Sequence, residues 1–192
     1  MVEPACIPAF TYADVLTWPE EERWELIDGV AYDMSPAPMR RHQDVLFSLA
    51  RIIADALEGS PCYTAVAPFD VRLPRAGEDG TSATTVVQPD IAVICDRTKL
   101  DDHGCVGAPT LVVEILSPST ASKDVREKRV AYERAGVPEY WVIYPTERLL
   151  HVYLLDEKGR YGAPVIFTTG EEAPVAALPC VTIDLTRVFA EM

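Results

Sequence analysis

Basic residues are scarce in this chain. Lys and Arg number 17 against 30 Asp and Glu, a net charge of −13. Phosphate binding ordinarily draws on clustered Lys and Arg. The balance therefore argues against a protein coated with nucleic acid, leaves room for a local basic surface, and suits a site that recruits cations. Cysteine is unpatterned: Cys6, Cys62, Cys95, Cys105 and Cys180 are scattered and odd in number, with no Cys-x-x-Cys pair. Neither a zinc site nor a disulfide framework is expected, and Cys95, ending an apolar run, is expected to pack as a small hydrophobe. Of the three histidines, His103 and His151 have no ligand set near them in sequence. No apolar run approaches the roughly 20 residues that span a bilayer, so no membrane partner is expected. Met1 to Phe10 has neither the basic start nor the apolar stretch of a signal peptide, which makes the cytoplasm the expected compartment. There is no repeat and no dividing linker. The 192 residues, 48% hydrophobic and 24% charged, read as a single domain, 1–192, with a sizeable core.

What is present has a clear order. Thr11 is placed to cap a short helix, Tyr12 to Trp18, stopped by Pro19. Arg23 to Ile27 and Val30 to Met34 flank Asp28-Gly29, a two-residue hairpin signal. From Met39 to Leu57, Val45, Leu46, Leu49, Ile52, Ile53, Ala56 and Leu57 recur at helical spacing; His42 lies on that stripe near its start. Strands are expected at Cys62–Leu73, Val86–Cys95 and Thr110–Leu116. Arg75–Thr85 reads as a mobile surface loop and Asp96–Pro109 as a polar connector. A second helix is expected to begin after Ser117-Pro118-Ser119-Thr120 and to stop at Gly136 and Pro138. Strands follow at Glu139–Tyr144, Leu149–Leu155, Tyr161–Thr168 and Val181–Leu185. The pattern predicts an α/β (α+β) fold, a mixed sheet flanked by helices. It also predicts a parallel, right-handed crossover from Thr110–Leu116 to Tyr140–Tyr144.

Two strands carry a carboxylate each. Asp90 follows Pro89 and opens Ile91-Ala92-Val93-Ile94; Glu114 sits inside Thr110–Leu116. A charge in a buried strand is normally paired or metal-bound. On neighbouring strands, two carboxylates at about 4 Å and an effective dielectric near 20 repel by roughly 4 kcal/mol. A proton, a lysine or a divalent cation must offset that. Lys128 shares a helical stripe with Val125 and Tyr132 and can reach back to the pair. Lys123 competes, on another face of the helix. Such a set suits phosphodiester hydrolysis assisted by Mg²⁺, which takes one or two protein carboxylates and fills its other positions with water and phosphate.

These residues resemble the PD-(D/E)xK nuclease superfamily, and within it the Uma-two family of restriction-endonuclease-like proteins. The resemblance rests on Glu25-Leu26-Ile27-Asp28-Gly29, Pro89-Asp90, Val113 to Thr120, Asp124, Lys128, Tyr132 and Gly136 to Ile143, in order across residues 20 to 155. It implies a restriction-endonuclease-like fold with an N-terminal hairpin and long helix, and hydrolysis of DNA. It further implies catalysis by Asp90, Glu114 and Lys128, with Mg²⁺ or Mn²⁺ held by Asp90 and Glu114. Glu25, His42 and Asp124 are possible supporting residues, and a homodimer through the edges at Leu149–Leu155 or Tyr161–Thr168 fits the class. One departure stands out: Leu116 occupies the superfamily's lysine position, and the family's helix lysine maps onto Lys128.

Plainer readings stay open beside these. Asp90 can satisfy backbone amides at a strand start, and Glu114 can form a buried salt bridge. Lys128 and Glu25 can lie on the surface. Asp124 can be a charge favoured by the helix dipole, and His42 an ordinary helix-start residue. At the level of the whole protein the alternatives are a non-catalytic binding module on the nuclease fold and a hydrolase of small phosphoesters or nucleotides.

Overall fold

The computed structural model describes residues 9–19, 21–34, 39–116 and 124–190. Helix α1 (Tyr12–Val15) precedes strands β1 (Trp24–Ile27) and β2 (Val30–Asp33). Helix α2 (Arg40–Ala56) follows, then β3 (Tyr63–Val66), β4 (Asp70–Arg72), β5 (Val86–Val87) and β6 (Ile91–Ile94). After a 3-10 turn at Arg97–Lys99 come β7 (Leu100–Asp101), β8 (Gly104–Val106) and β9 (Leu111–Ile115). Helix α3 (Asp124–Ala135) leads to β10 (Glu139–Tyr144), β11 (Leu149–Leu154), β12 (Val165–Thr168), β13 (Glu172–Pro174), β14 (Thr182–Asp184) and α4 (Leu185–Val188). The architecture is mixed α and β, as expected.

The central sheet has the order β12-β11-β10-β9-β6-β3, and a second sheet the order β2-β1-β5-β4-β8-β7. Strands β9 and β10 are parallel, so α3 is the crossover between them. Alternation sorts the central strands into two faces. Ile91, Val93, Val113, Ile115, Trp141 and Ile143 pack with Val45, Leu49, Ile52 and Ile53 of α2 and with the C-terminal elements. Ala92, Ile94, Val112, Leu116, Tyr140 and Val142 pack with Tyr132 of α3 and with Ile27, Val71 and Val87 of the second sheet.

Local chemistry explains the element ends. Asp28 and Gly29 take φ of 54° and 77°, the left-handed pair a two-residue hairpin needs. Gly136, at φ 81°, ends α3 with Val137 N–H donating to the Tyr132 carbonyl at 3.0 Å, a Schellman stop. Asp14 completes the start of α1 by accepting from the Thr11 amide at 2.8 Å.

Several expectations are corrected. The strand expected at Cys62–Leu73 is two, β3 and β4, in different sheets, and Val86–Cys95 likewise divides into β5 and β6. Pro68 and Pro89 fall at the breaks, where a residue without an N–H cannot continue a ladder. The polar connector Asp96–Pro109 holds the β7–β8 hairpin. In the Arg75–Thr85 loop, Asp79 accepts from Thr81 and Ser82, Glu78 accepts from Arg75 and Thr84, and Ala83 and Thr85 are fully buried. Cys95 is no free hydrophobe: it forms a disulfide with Cys62, 33 residues away in sequence, across the β3–β6 pairing. Strand β11 is paired on both sides, so Leu149–Leu155 offers no free edge; β12 is the edge strand. Tyr161 forms only an isolated bridge to Leu155. The turn at 117–120 and Lys123 lie outside the described residues.

Gly104 shows how closely the second sheet is built. It lies beside Asp70 at φ 133°, and a Cβ there would stand 2.2 Å from the Asp70 carbonyl oxygen. Gly104→Ala is expected to lower the unfolding free energy by about 2 kcal/mol or more. Urea denaturation checks this, and an unchanged midpoint would show that the two strands can separate at little cost.

Candidate active site

The site forms where β6 begins and β9 ends. In the antiparallel register, Ile91 pairs with Val113 and Ala92 with Val112. One step further, Asp90 stands opposite Glu114, and directly opposed residues share a face. The Asp90 side chain is fixed from two directions. Its Oδ2 accepts from the Ile115 amide at 2.7 Å, and its Oδ1 lies 3.1 Å from Nε2 of His42. Helix α2 packs on the opposite face of the sheet, so only its first turn reaches this end, and His42 sits in that turn.

Glu114 looks toward α3. Its Oε1 accepts from the Tyr132 hydroxyl at 2.7 Å and from Lys128 Nζ at 3.1 Å. Lys128 and Tyr132 are one helical turn apart and face the sheet together. Lys128 Nζ also lies 2.7 Å from Glu25 Oε1, and that oxygen accepts from the Gln88 amide at 2.7 Å. Glu25 alternates with Leu26, so it shares the Ile27 face of β1, which points at the central sheet. The Lys128, Glu25 and Glu114 side chains are 7%, 7% and 10% exposed. Two lysine N–H bonds are thus committed to carboxylates in a nearly dry pocket.

Burial and charge shift these groups in opposite senses. Burial pushes the Glu114 carboxyl up to about 7; Lys128 opposes this, while Asp90 and Glu25 add to it. Burial alone would lower Lys128, but the Glu114 and Glu25 carboxylates outweigh it and hold the ammonium well above its ordinary value. His42 is likewise raised: burial would lower it, and the hydrogen bond to and charge of Asp90, with Glu114 beyond, prevail. Its Nδ1 is buried with no hydrogen-bond partner among the described residues.

The structure therefore brings together Asp90, Glu114, Lys128, Glu25 and His42. Asp124 opens α3, but its side chain lies outside the described residues. Two participants were not singled out as site residues from sequence: Tyr132, read as a core residue four after Lys128 and as part of the family pattern but given no role, and Gln88, which meets Glu25 through its backbone and so leaves no side-chain signal. Among the described residues no three His, Cys, Asp or Glu side chains converge as a ready-made metal cage.

The fold defines the class first. It is shared with the crystal structure of a putative nuclease belonging to DUF820 from Anabaena variabilis, with a TM-score of 0.75 and 19% identity over 94% of this chain and 98% of that one. The chain belongs to the Uma2 family, described as putative restriction endonuclease, whose family model matches residues 12–186. It is also 26% identical, over 153 residues, to the uncharacterized protein slr1290 of Synechocystis, a match covering 79% of this chain and 70% of that protein. No described helix is long and apolar enough to cross a membrane.

Two outcomes follow from the geometry. Removing the buried cation strands two carboxylates, so in EDTA Lys128→Met is expected to cost about 3–5 kcal/mol in urea denaturation, with partial recovery in Lys128→Met/Glu114→Gln. A Lys128→Met protein of unchanged stability would show that the carboxylates are neutralised another way. The raised His42 value means that its pairing with Asp90 stabilises the fold fully below about pH 6.5, and that this contribution fades as pH rises through the folded-state value. The stability difference between the protein and His42→Gln should be larger at pH 5.5 than at pH 8.5; an equal difference would show that the pair carries no net proton linkage.

Proposed function

We propose that the protein is a PD-(D/E)xK-type endonuclease that hydrolyses DNA phosphodiester bonds with a divalent cation, Mg²⁺ or Mn²⁺. The observation that carries this reading is the meeting of Asp90 and Glu114 across β6 and β9 with Lys128 against Glu114. Membership of a restriction-endonuclease family supports it.

The donor set fits a hard cation. Burial raises the Glu114 carboxyl, and the negative charges of Asp90 and Glu25 beside it add to the rise. Mg²⁺ needs only one or two protein carboxylates, so a pair suffices where a closed cage does not exist. Asp90 and Glu114 would hold it, and when bound it supplies charge neutralisation at the phosphate and an acidified water. Lys128 stays protonated between its two carboxylates and so cannot act as a general base. Its role is electrostatic: it fixes the Glu114 carboxylate and keeps positive charge where a transition state gains negative charge. Asp90 is oriented by the Ile115 amide and His42, and Glu25 holds the lysine from behind.

Purified protein incubated with supercoiled and linear DNA plus Mg²⁺ or Mn²⁺ is expected to cleave, and Asp90→Ala and Glu114→Ala to lose about 100-fold or more of the rate. Equal cleavage by all three would remove these residues from the mechanism. Turnover of nucleotides or simple phosphodiesters without DNA cleavage would move the substrate to small phosphoesters. Calorimetric titration with Mn²⁺ that gave no carboxylate-dependent heat would make the protein a binding module.

A further inference from the structure

A groove of about 390 Å³ opens beside the carboxylates, between the first turn of α2 and the end of β9. Met39, Arg41, His42, Leu116, Pro145 and Thr146 line it. Two of these residues tie it to the site. His42 is bonded to Asp90, and Leu116 follows Glu114 by two residues on the same strand face, about 7 Å along the chain. Whatever fills the groove therefore lies next to anything held by Asp90 and Glu114.

Its walls have two kinds of chemistry. Met39, Leu116 and Pro145 are apolar, and Leu116 is apolar at the position where the superfamily pattern has lysine. The rim carries Arg40 and Arg41. Arg40 is bound to Asp44 at 2.6 Å, whereas Arg41 is exposed and makes no ion pair among the described residues. Some basic side chains elsewhere are matched by acids, Arg72 by Asp101 and Arg75 and Arg134 by Asp28, while Arg97 and Lys99 are held by the Pro61 and Ala108 carbonyls; Arg41 is set apart by its place on the rim of the groove. A guanidinium with no ion pair among the described residues, beside an apolar cleft, complements an anionic ligand with a flat hydrophobic part. The volume is at the small end for ligand sites and suits one nucleotide. A duplex keeps its bases stacked and shows a protein only phosphates and groove edges; a base reaches such a cleft only from a single strand or after leaving the stack.

We propose that this groove is a subsite for one unpaired nucleotide of a DNA strand, its base against Met39, Leu116 and Pro145 and its phosphate on Arg41. The proposal rests on the endonuclease reading and narrows the substrate to DNA with an unpaired base beside the cut.

Fluorescence anisotropy in EDTA tests it without cleavage, using a labelled single strand, a same-length strand of abasic sites, and a perfect duplex. The single strand is expected to bind about fivefold or more tightly than either of the others. Arg41→Ala, an exposed change that should leave the melting temperature unaltered, is expected to reduce the slope of log K against log salt by about 0.7. Leu116→Trp, which fills the cleft, is expected to abolish the preference for bases. Equal affinity for normal and abasic strands, an unchanged slope in Arg41→Ala, or no binding by the unmodified protein each overturns the subsite. DNA cleavage in Mg²⁺ alongside equal binding would remove the subsite and leave the nuclease reading intact. The base preference without cleavage in either metal would do the reverse.

Discussion

A single ammonium group organises this molecule. Lys128 lies buried between Glu25 and Glu114, at 2.7 Å and 3.1 Å, so one contact set joins three layers: the lysine comes from α3, and its two carboxylate partners from the second sheet and the central sheet. A charge in so dry a place must be matched by its neighbours. Matching it requires β1 to present Glu25 inward, β9 to present Glu114 on the α3 face, and α3 to start at the right phase. The same contacts that neutralise the lysine thus set the relative placement of the elements that form the candidate site.

Burial of a strand carboxylate does not by itself mark function, as Glu139 demonstrates one strand away. It is completely buried, yet its oxygens are taken by the Trp141 indole N–H at 2.6 Å and the Ala177 amide at 2.7 Å. Those partners are neutral, and the Ala177 amide ties β10 to the C-terminal segment. Glu114 differs because its surroundings include two further carboxylates and an ammonium. The distinction lies in the company each group keeps.

Much of this was legible in the sequence where local chemistry decides. Asp28-Gly29 gave away the hairpin through its left-handed dihedrals, and Gly136 with Pro138 marked the end of α3. The apolar stripe of α2 and the parallel β9–α3–β10 unit also followed from periodicity. Of the five site residues that meet, Asp90, Glu114, Lys128 and His42 stand out because each places a titratable group in or beside an apolar run, and Glu25 through the family pattern. Features that depend on partners distant in the chain were hidden. The division of Val86–Cys95 between two sheets shows in the sequence only as the short Gln88-Pro89-Asp90 interruption of an apolar run. The Cys62–Cys95 bond depends on the β3–β6 register, and Gln88 contributes a main-chain amide that any residue but proline could supply. Strand β13 is three residues long, with one buried, too short for a periodic signal.

The hairpin of β1 and β2 has a consequence for how the chain matures. Glu25 is made before Glu114, and Lys128 after both. A polypeptide made only as far as Glu114 holds these acidic groups without the Lys128 counter-ion. The charge cluster is therefore completed only on tertiary closure, and clipping the hairpin from the finished molecule would leave Lys128, more than a hundred residues further along, with one carboxylate partner in place of two.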